Sequence, residues 1–433
     1  MTPFEIGLLG CALMVVMLAS SMPVGFVMAV VGLIGFAQIV SAPAALSMVV
    51  SDLYSTFTSA SLTVIPLFVF MGQIAFHADI SRRLFRAAYE WMGALPGGLA
   101  MATIGACTGF GAICGSGPAT AATMASVALP EMKRYKYDME LGSGAVAAGG
   151  SLGMLIPPSV VFVVYAIMTE QSIGKLFLAG VIPGLLIAFL FCVTIFINVS
   201  LRPHLAPRGP RTTWKRKFIA LNGVIETVIL FVAVMGGMFW GYFTPTEAAA
   251  VGAAGSLVIA AVKGQLTCKM LVQSLLETMR TSCMVMIIVA GAVMFGHFLA
   301  VTRIPMELAE WLSGLALPAW CIVGLIILFY LLAGCFLDAL ALILLTIPIF
   351  FPVISDLGYD PIWFGVIIVV VAQMGVISPP VGVNVYVVSG VERDIALETV
   401  FKGAMPFLVA LWVAAVLLVA FPGISLFLPG LAK

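Results

Sequence analysis

Charged residues are scarce in this chain. Asp, Glu, Lys and Arg make up only 9% of the 433 residues, whereas soluble domains carry about 25%. A soluble protein of this composition could not cover its own surface, so we predict an integral membrane protein surrounded by the lipid bilayer. Basic residues number 20 and acidic residues 19, so the net charge indicates no particular partner, and no nucleic acid is expected.

Sequence motifs of ATPases and of common enzymes are also missing. The chain has no Gly-x4-Gly-Lys-Ser/Thr phosphate loop, so it is not expected to hydrolyse ATP itself. Its three histidines do not have the spacing of metal ligands, and no Gly-x-Ser-x-Gly elbow or pair of catalytic aspartates occurs. We therefore expect neither an enzyme nor an organic cofactor.

Long apolar segments are abundant, since 62% of the residues are hydrophobic. Runs of about 20 apolar residues predict membrane-spanning helices rather than barrel strands. The predicted spans are 4–20, 22–40, 63–77, 140–168, 174–200, 218–240, 245–262, 280–300, 361–391 and 401–425. Two further stretches, 96–130 and 317–352, carry small or polar residues at their middle. Each is predicted to be a helical hairpin, either re-entrant or fully spanning, that leaves the membrane on the side where it entered.

The distribution of basic residues predicts the orientation in the membrane. With these crossings, all but three of the 20 basic residues fall on one side, and the exceptions are Lys175, Arg303 and Lys433. The basic side should be cytoplasmic. We therefore predict a multi-pass protein of the bacterial inner membrane with a cytoplasmic loop at 201–217 and both termini in the periplasm.

An internal repeat appears when the chain is shifted by 222 residues. The shift aligns Asp138 with Asp360 and the double proline Pro157-Pro158 with Pro379-Pro380. The loop after the first hairpin is basic, whereas its counterpart at 354–359 has no basic residue, so the two copies should face opposite ways. Inverted repeats with interrupted helices are typical of secondary transporters.

The repeat divides the chain into segments. Residues 78–95 and 302–316 precede the two hairpins and are predicted to be amphipathic arm helices at the membrane interface, with ordinary connecting loops as the alternative. The predicted domains are N-terminal scaffold helices at 1–77, the first copy at 78–200, the basic loop at 201–217, further scaffold helices at 218–301 and the second copy at 302–425.

Each copy contains an interrupted helix, at 147–159 and at 372–384. A double proline removes two backbone donors and disfavours helix in the residue before it. Carbonyl groups freed at membrane depth need partners, and a bound cation is one such partner. Helix N-termini at the same breaks favour anions. Close packing around small residues is the alternative interpretation.

The predicted sites follow from these breaks and from the hairpin tips. The first sodium site is predicted at Ser116, Gly117, Thr120, Gly149, Gly150, Ser151 and Gly153. The second is predicted at Asp338, Gln373, Met374, Gly375 and Ser378. The anionic substrate is predicted to contact Ser116, Pro118, Pro157, Pro158, Ser159, Pro379, Pro380 and Asn384.

Three other polar residues need an interpretation. Asp338 is a carboxylate deep in an apolar stretch, which makes it a functional candidate. Glu226 lies near the end of a predicted span and is expected to be solvated. His297 is expected to make a packing hydrogen bond. No Lys or Arg falls in the predicted core, so the charge of an anion would have to be met by two or more bound sodium ions and by helix dipoles.

Several segments make the chain resemble a known family, the large membrane subunit of tripartite ATP-independent periplasmic (TRAP) transporters in the ion transporter superfamily. These segments are Gly-Ser-Gly-Pro-Ala-Thr-Ala-Ala-Thr at 115–123, Leu-Pro-Glu-Met at 129–132, the Gly-Gly and Pro-Pro segment at 147–159, and Pro-Pro-Val-Gly-Val-Asn at 379–384. Where the family often has Ser-Ser or Ser-Gly-Ser, this chain has Ser116-Gly117-Pro118, and Ser151 replaces a frequent threonine.

The resemblance implies an elevator-type transporter that imports organic anions with sodium. It also implies two partners, a small four-helix membrane subunit and a soluble periplasmic protein that captures the substrate. A stand-alone sodium-coupled anion transporter or exchanger of the same superfamily is the alternative. An intramembrane enzyme is disfavoured because no catalytic group of residues was found.

Overall fold

The computed structural model describes residues 2–20, 22–207, 209, 212–314 and 318–431. Within these ranges every regular element is a helix. Seven segments are long and apolar enough to cross a membrane, and they are Ala60–His77, Ile173–Leu201, Trp214–Phe239, Pro245–Val262, Cys268–Thr302, Ala339–Asp356 and Leu397–Ala420. The predicted all-helical membrane fold is therefore confirmed.

The N-terminal part of the chain contains one helix more than the apolar runs predict. Its helices are α1 (Pro3–Ala19), α2 (Val24–Ile39), α3 (Ala42–Thr58) and α4 (Val64–His77). Helix α3 begins after Ser41, whose hydroxyl accepts a hydrogen bond from the backbone N–H of Ala44. Serine, threonine and aspartate residues interrupt its apolar run, which is why hydropathy alone does not reveal α3.

The first copy of the repeat follows as six helices. They are α5 (Ile80–Met92), α6 (Gly98–Cys114), α7 (Gly117–Arg134), α8 (Met139–Ser151), α9 (Val160–Met168) and α10 (Ile173–Leu201). Helices α6 and α7 form hairpin 1. The predicted break lies between α8 and α9, where a short 3₁₀ turn is followed by a cis peptide bond between Pro157 and Pro158.

Helices that belong to neither copy come next. They are α11 (Trp214–Ala220), α12 (Asn222–Phe231), α13 (Gly237–Phe239), α14 (Pro245–Val262) and α15 (Cys268–Thr302). With 35 residues, α15 is about 52 Å long, which exceeds the thickness of the hydrocarbon core. It packs closely on α2, since a side chain at Gly291 would meet the carbonyl oxygen of Gly25 at 2.2 Å. Small residues at such contacts let membrane helices approach each other.

The second copy repeats the order of the first. Its helices are α16 (Ile304–Gly314), α17 (Ala319–Gly334), α18 (Ala339–Asp356), α19 (Pro361–Gly375), α20 (Val383–Val391) and α21 (Leu397–Ala420), and α22 (Gly423–Leu431) follows. Helices α17 and α18 form hairpin 2. The second break, between α19 and α20, again contains a cis peptide bond, between Pro379 and Pro380. The predicted repeat is thus visible as matching helices, hairpins and breaks.

The number of crossings between the copies makes them inverted. The first interrupted helix, α8–α9, starts at Asp138 and its counterpart, α19–α20, starts at Asp360. Between these points the chain crosses five times, through α8–α9, α10, 214–239, α14 and α15, and hairpin 2 returns to its own side. An odd number of crossings places the two starting points on opposite sides of the membrane.

Matching contacts hold the two copies in the same local geometry. The carboxylates of Asp138 and Asp360 each accept hydrogen bonds from two backbone N–H groups and so cap α8 and α19. In each copy a glycine of the hairpin also lies against a glycine of the interrupted helix. A Cβ atom on Gly111 would be 2.9 Å from Cα of Gly153, and these contacts therefore exclude any side chain.

The hairpins and the interrupted helices pack across the repeat. Helix α7 of hairpin 1 contacts α20 of the second copy, and α18 of hairpin 2 contacts α9 of the first. Helices α2, α4, α14 and α15 pack on one another as a separate group. We call the first group the hairpin bundle and the second group the scaffold.

The side chain of Glu226 is buried, so the expectation that it is solvated is wrong. It lies on α12, and its side chain is only 10% exposed. One carboxylate oxygen is 2.7 Å from Nη2 of Arg83 on α5, and the other is 2.6 Å from Nζ of Lys263, which follows α14. Two cations compensate for the burial of this carboxylate, and they join the arm helix α5 to α12 and α14.

Replacing Glu226 with alanine should loosen the arm helix. Arg83 would lose its counter-charge while it stays partly buried, so we expect a loss of about 1–3 kcal/mol in the free energy of unfolding. Thermal unfolding of the purified protein in detergent measures this loss. The control is Glu398→Ala, which breaks an exposed pair with Lys402 and should change little. An unchanged unfolding temperature in Glu226→Ala would contradict the role of this carboxylate.

Candidate functional site

A cavity of about 440 Å³ lies where the two hairpin tips meet the scaffold. Hairpin 1 contributes residues 114–119, and hairpin 2 contributes residues 338–340. The scaffold closes the cavity with Val69, Gly72 and Gln73 of α4 and with Thr281, Met284 and Val285 of α15. The inverted repeat predicts a site at this meeting point of the two copies.

Four helix N-termini border this cavity: those of α7 and α18 at the hairpin tips, and those of α9 and α20 at the breaks. Ser116 precedes α7, and its side chain makes no capping hydrogen bond, so its hydroxyl remains available. Asp338 precedes α18, and its carboxylate accepts a hydrogen bond from the backbone N–H of Leu340 at 3.1 Å. Helix N-termini carry partial positive charge and unpaired N–H groups, which favour an anion.

Three residues predicted for the first sodium site, Ser116, Thr120 and Gly153, lie against one another. The hydroxyl of Thr120 donates to the carbonyl oxygen of Ser116 at 2.8 Å. A Cβ atom on Gly153 would lie 2.6 Å from the Thr120 hydroxyl and 2.8 Å from the Ser116 carbonyl oxygen. The glycine-rich break therefore lies against the tip of hairpin 1, as its sequence predicts. Gly117 lines the cavity at the start of α7.

The other glycines predicted for this site face neighbouring helices. A side chain at Gly150 would meet Ala121 of α7 at 2.5 Å, and one at Gly149 would meet the sulfur of Cys107 on α6 at 2.9 Å. Ser151 is buried, and its hydroxyl donates to the carbonyl oxygen of Ala148 at 2.7 Å.

One hydrogen bond between the copies joins residues at equivalent positions of the repeat. The side-chain amide of Gln373 donates to the carbonyl oxygen of Ser151 at 2.9 Å, and these residues are 222 positions apart. Asn384 likewise donates to the carbonyl oxygen of Ala147 at 3.1 Å. The amide oxygens of Gln373 and Asn384 are buried and have no hydrogen-bond partner in the described part of the chain. Two acceptor atoms are therefore free for a ligand beside the breaks.

The residues predicted for the second sodium site lie around the second break. Gly375 lies against Gly334 of hairpin 2, where a Cβ atom would meet backbone atoms at 2.4 Å. The Ser378 hydroxyl donates to the carbonyl oxygen of Met374 at 2.7 Å. Asp338 lines the cavity together with Ser116, whereas Gln373 bonds to the first copy.

The predicted substrate residues are divided between the cavity and the interior. Ser116 and Pro118 line the cavity. Pro157, Pro158 and Ser159 are buried, and the Ser159 hydroxyl caps α9 by accepting from the backbone N–H of Phe162. Pro379 and Pro380 are exposed, whereas Asn384 is buried. The structure thus brings the two tips into one cavity, but none of the four prolines at the breaks lines it.

One buried carboxylate is absent from the sequence prediction. Asp52 of α3 is 6% exposed, and its Oδ2 atom lies 2.9 Å from Nδ1 of His297 on α15. His297 thus makes a hydrogen bond, as expected, and its partner is this carboxylate. A helix prediction from the cap at Ser41 would have placed Asp52 near the middle of α3, which was the available signal. Among the described residues there is no group of three or more His, Cys, Asp or Glu side chains that could hold a metal.

Comparison with known proteins decides the family. The model of the "Tripartite ATP-independent periplasmic transporter, DctM component" family matches residues 11–424. The C4-dicarboxylate TRAP transporter large permease protein DctM of Pseudomonas aeruginosa is 39% identical over 87% of this chain and 88% of that protein. The chain belongs to the DctM family. It is the large permease component of a bacterial TRAP transporter and not an enzyme, as the resemblance implies.

Other relatives carry different substrates in their names. The isethionate TRAP transporter permease protein DctMQ of Oleidesulfovibrio alaskensis is 35% identical over 99% of this chain and 64% of that protein. The sialic acid TRAP transporter large permease protein SiaM of Vibrio cholerae is 33% identical over 96% of each chain. Because three substrate names occur at similar identity, identity does not select a substrate for this TRAP permease.

Solved structures share its fold. The YdaH transporter of Alcanivorax borkumensis aligns with a TM-score of 0.63 at 15% identity, over 90% of this chain and 89% of that chain. MtrF of Neisseria gonorrhoeae aligns with a TM-score of 0.55 at 16% identity, over 87% and 83%. At such identity the likeness concerns the fold alone.

Gly153→Ala tests the contact between the break and the tip of hairpin 1. The new methyl group would overlap the Ser116 carbonyl oxygen and the Thr120 hydroxyl, and such overpacking costs about 1–3 kcal/mol. We expect a lower unfolding temperature in detergent. The control is Gly174→Ala, where the nearest neighbouring atom is 3.8 Å from the new Cβ. Equal stability of the two variants would contradict the close approach.

Proposed function

We propose that this TRAP permease imports a small organic anion, a carboxylate or a sulfonate, by sodium symport. The observation that carries the proposal is the cavity between the hairpin tips, which offers four helix N-termini to an anion. Among its lining residues Asp338 is the charged side chain, and none is Lys, Arg or His. A carboxylate beside a bound anion requires a cation, and sodium suits the carbonyl and hydroxyl oxygens at the breaks.

We assign two or more coupling sodium ions to the two breaks. At the first break, Ser116, Thr120 and Gly153 present carbonyl and hydroxyl oxygens within one contact region. At the second, Asp338 supplies a negative charge, and Met374, Gly375 and Ser378 supply oxygens close to hairpin 2. Obligatory coupling follows, because without sodium the anion would meet only the Asp338 carboxylate.

An elevator movement accounts for transport across the membrane. The hairpin bundle contains both breaks and both tips, whereas the scaffold contributes the uninterrupted helices α4 and α15 to the cavity. The bundle would carry substrate and sodium along α4 and α15 while the arm helices α5 and α16 connect the two groups. The two ion pairs of the buried Glu226 support this division, because they join α5 to the end of scaffold helix α14.

Two further proteins would complete the transporter. Large permeases of the TRAP family work with a small membrane subunit and a periplasmic binding protein. We propose that a small four-helix subunit packs beside this chain and that the binding protein delivers the substrate. The complex would lie in the inner membrane, with both termini of this chain in the periplasm.

Uptake into proteoliposomes tests the proposed function. The vesicles would contain this chain with its small subunit, and the binding protein would be added outside with labelled succinate, isethionate or N-acetylneuraminate. We expect an inward sodium gradient to drive uptake of one of these anions only when the binding protein is present. Uptake that needs no binding protein would favour a stand-alone transporter or exchanger, and uptake that ignores sodium would contradict symport.

Asp338→Asn tests the charge at the tip of hairpin 2. The amide keeps the shape of the side chain but removes its charge, so sodium should bind more weakly and uptake should be slower. We expect the sodium activation curve to shift to higher concentration, with assembly unchanged. The control is Asp356→Asn, at the exposed C-terminal end of the same helix, which should behave as wild type. A wild-type sodium curve for Asp338→Asn would make Asp338 only a helix cap.

The proposed orientation can be tested by cysteine labelling. In a cysteine-free variant, His204→Cys would report on the basic loop and Ser355→Cys on the loop after hairpin 2, and both positions are exposed. We expect a membrane-impermeant maleimide to label only the second variant when it is added to spheroplasts. Labelling of His204→Cys from the periplasmic side would reverse the predicted topology.

A further inference from the structure

A second cavity of about 520 Å³ lies between the scaffold and the hairpin bundle. The bundle contributes the end of α9 and residues 347–352 of α18. The scaffold contributes Val289, Ala292, Val293, Gly296 and His297 of α15, and Ser55, Thr56 and Ser59 come from the end of α3 and the residue after it. None of these residues belongs to the predicted sites.

One face of α15 borders both cavities. Thr281, Met284 and Val285 line the first cavity, and residues from Val289 to His297 line the second. Their spacing of three and four residues places them on one continuous stripe. The two groups are centred about ten residues apart, so the cavities are separated by roughly 15 Å along the helix axis.

His297 precedes the second copy at the same distance at which Gln73 precedes the first. Gln73 lies seven residues before the start of arm helix α5, and His297 lies seven residues before the start of arm helix α16. Gln73 lines the cavity that now holds the hairpin tips. By the symmetry of the inverted repeat, His297 should face the tips once they have moved to the second cavity.

The imidazole of His297 is held in one orientation. Its Nδ1 atom lies 2.9 Å from Oδ2 of Asp52, whose side chain is 8% exposed, whereas the imidazole itself is 50% exposed. A buried carboxylate of this kind keeps a proton on Nδ1 and leaves Nε2 free. In the neutral ring Nε2 accepts a hydrogen bond, and in the protonated ring it donates one and carries positive charge.

No other side chain that lines either cavity can carry a positive charge. The charged residues of the second cavity are His297 and Glu170, and the first cavity has only Asp338. Further titratable groups occur on helices that pack against α15, but they do not line the second cavity; they are Glu5, Tyr54, His77, Glu307, Glu310 and Asp356. Asp52 and Glu170 are therefore the acidic groups around the imidazole.

We propose that His297, oriented by Asp52, binds the transported anion when the hairpin tips face the second cavity. This inference rests on the proposed elevator transport and adds a substrate-binding residue on the scaffold. The anion would receive a hydrogen bond from Nε2–H of the doubly protonated ring, whose Nδ1–H donates to Asp52. The first cavity offers no such group on release.

Two substitutions of His297 separate substrate binding from packing. An asparagine amide can donate to Asp52 from the position of Nδ1 but leaves nothing at Nε2. A glutamine amide can reach the position of Nε2 but gives up the bond to Asp52. If the pair serves packing alone, His297→Asn should resemble wild type and His297→Gln should be the more damaged variant.

The measurement is sodium-driven uptake in the proteoliposomes described above, with the anion that the wild type transports. For His297→Asn we expect the apparent KM for substrate to rise about tenfold or more, with a similar maximal rate and sodium curve. Asp52→Asn, which acts through the imidazole, should raise the apparent KM for substrate in the wild-type background and should raise it no further in His297→Asn.

A wild-type KM in His297→Asn would overturn this inference and leave sodium-driven transport intact. Failure of both His297 variants to insert and assemble, with a wild-type KM in Asp52→Asn, would assign the pair to packing and would also overturn it. Failure of the proposed function is a different result, because the wild type itself would then show no sodium-driven uptake.

Discussion

Every backbone polar group that lies at membrane depth needs a partner, because hydrocarbon supplies none. In the two interrupted helices some backbone groups lose their helical partners, and contacts with the rest of the fold supply other partners. Each break is tied to the hairpin tip of its own copy: the N–H of Val160 donates to the carbonyl oxygen of Gly115 at 3.3 Å, and the N–H of Val381 donates to that of Cys335 at 3.2 Å. Hairpins and breaks are therefore mutually dependent elements, and neither would be stable in the membrane without the other.

The same constraint explains why polar groups that could bind a ligand lie at the breaks. Gln373 and Asn384 reach across to the carbonyl groups at the end of α8, and their own amide oxygens remain buried and unpaired within the described chain. Buried polar atoms without partners are costly, so a bound cation would stabilise them. In the proposed mechanism sodium supplies both this stabilisation and the positive charge that the first cavity lacks.

The sequence predicts those features of the fold that have a distinctive pattern of residues. Paired prolines and glycines marked both breaks, a 222-residue shift revealed the repeat, and Asp138 and Asp360 proved to be equivalent helix caps. It missed α3, because a helix with several hydroxyl and carboxylate side chains has no apolar run. Consequently it also missed Asp52, the partner of His297.

The burial of Glu226 could not be read from the sequence for another reason. Its two cationic partners, Arg83 and Lys263, are distant in the chain, and only the packing of α5 and α14 on α12 brings them together. Similarly, the sequence indicated which residues belong to each hairpin tip, but not that both tips share one cavity with α4 and α15. Such arrangements depend on tertiary packing between segments that are distant in the chain, and no local sequence pattern indicates which of these segments meet.

The central claim is that sodium replaces a basic residue as the counter-charge of the substrate. Equilibrium binding of the transported anion to the purified membrane complex, measured by calorimetry in sodium chloride and in choline chloride, tests it most directly. We predict measurable binding only in sodium, together with protection of a cysteine introduced at Ala119 of the cavity wall from alkylation. Equal affinity in choline would contradict the account, because the anion would then bind without its proposed counter-charge.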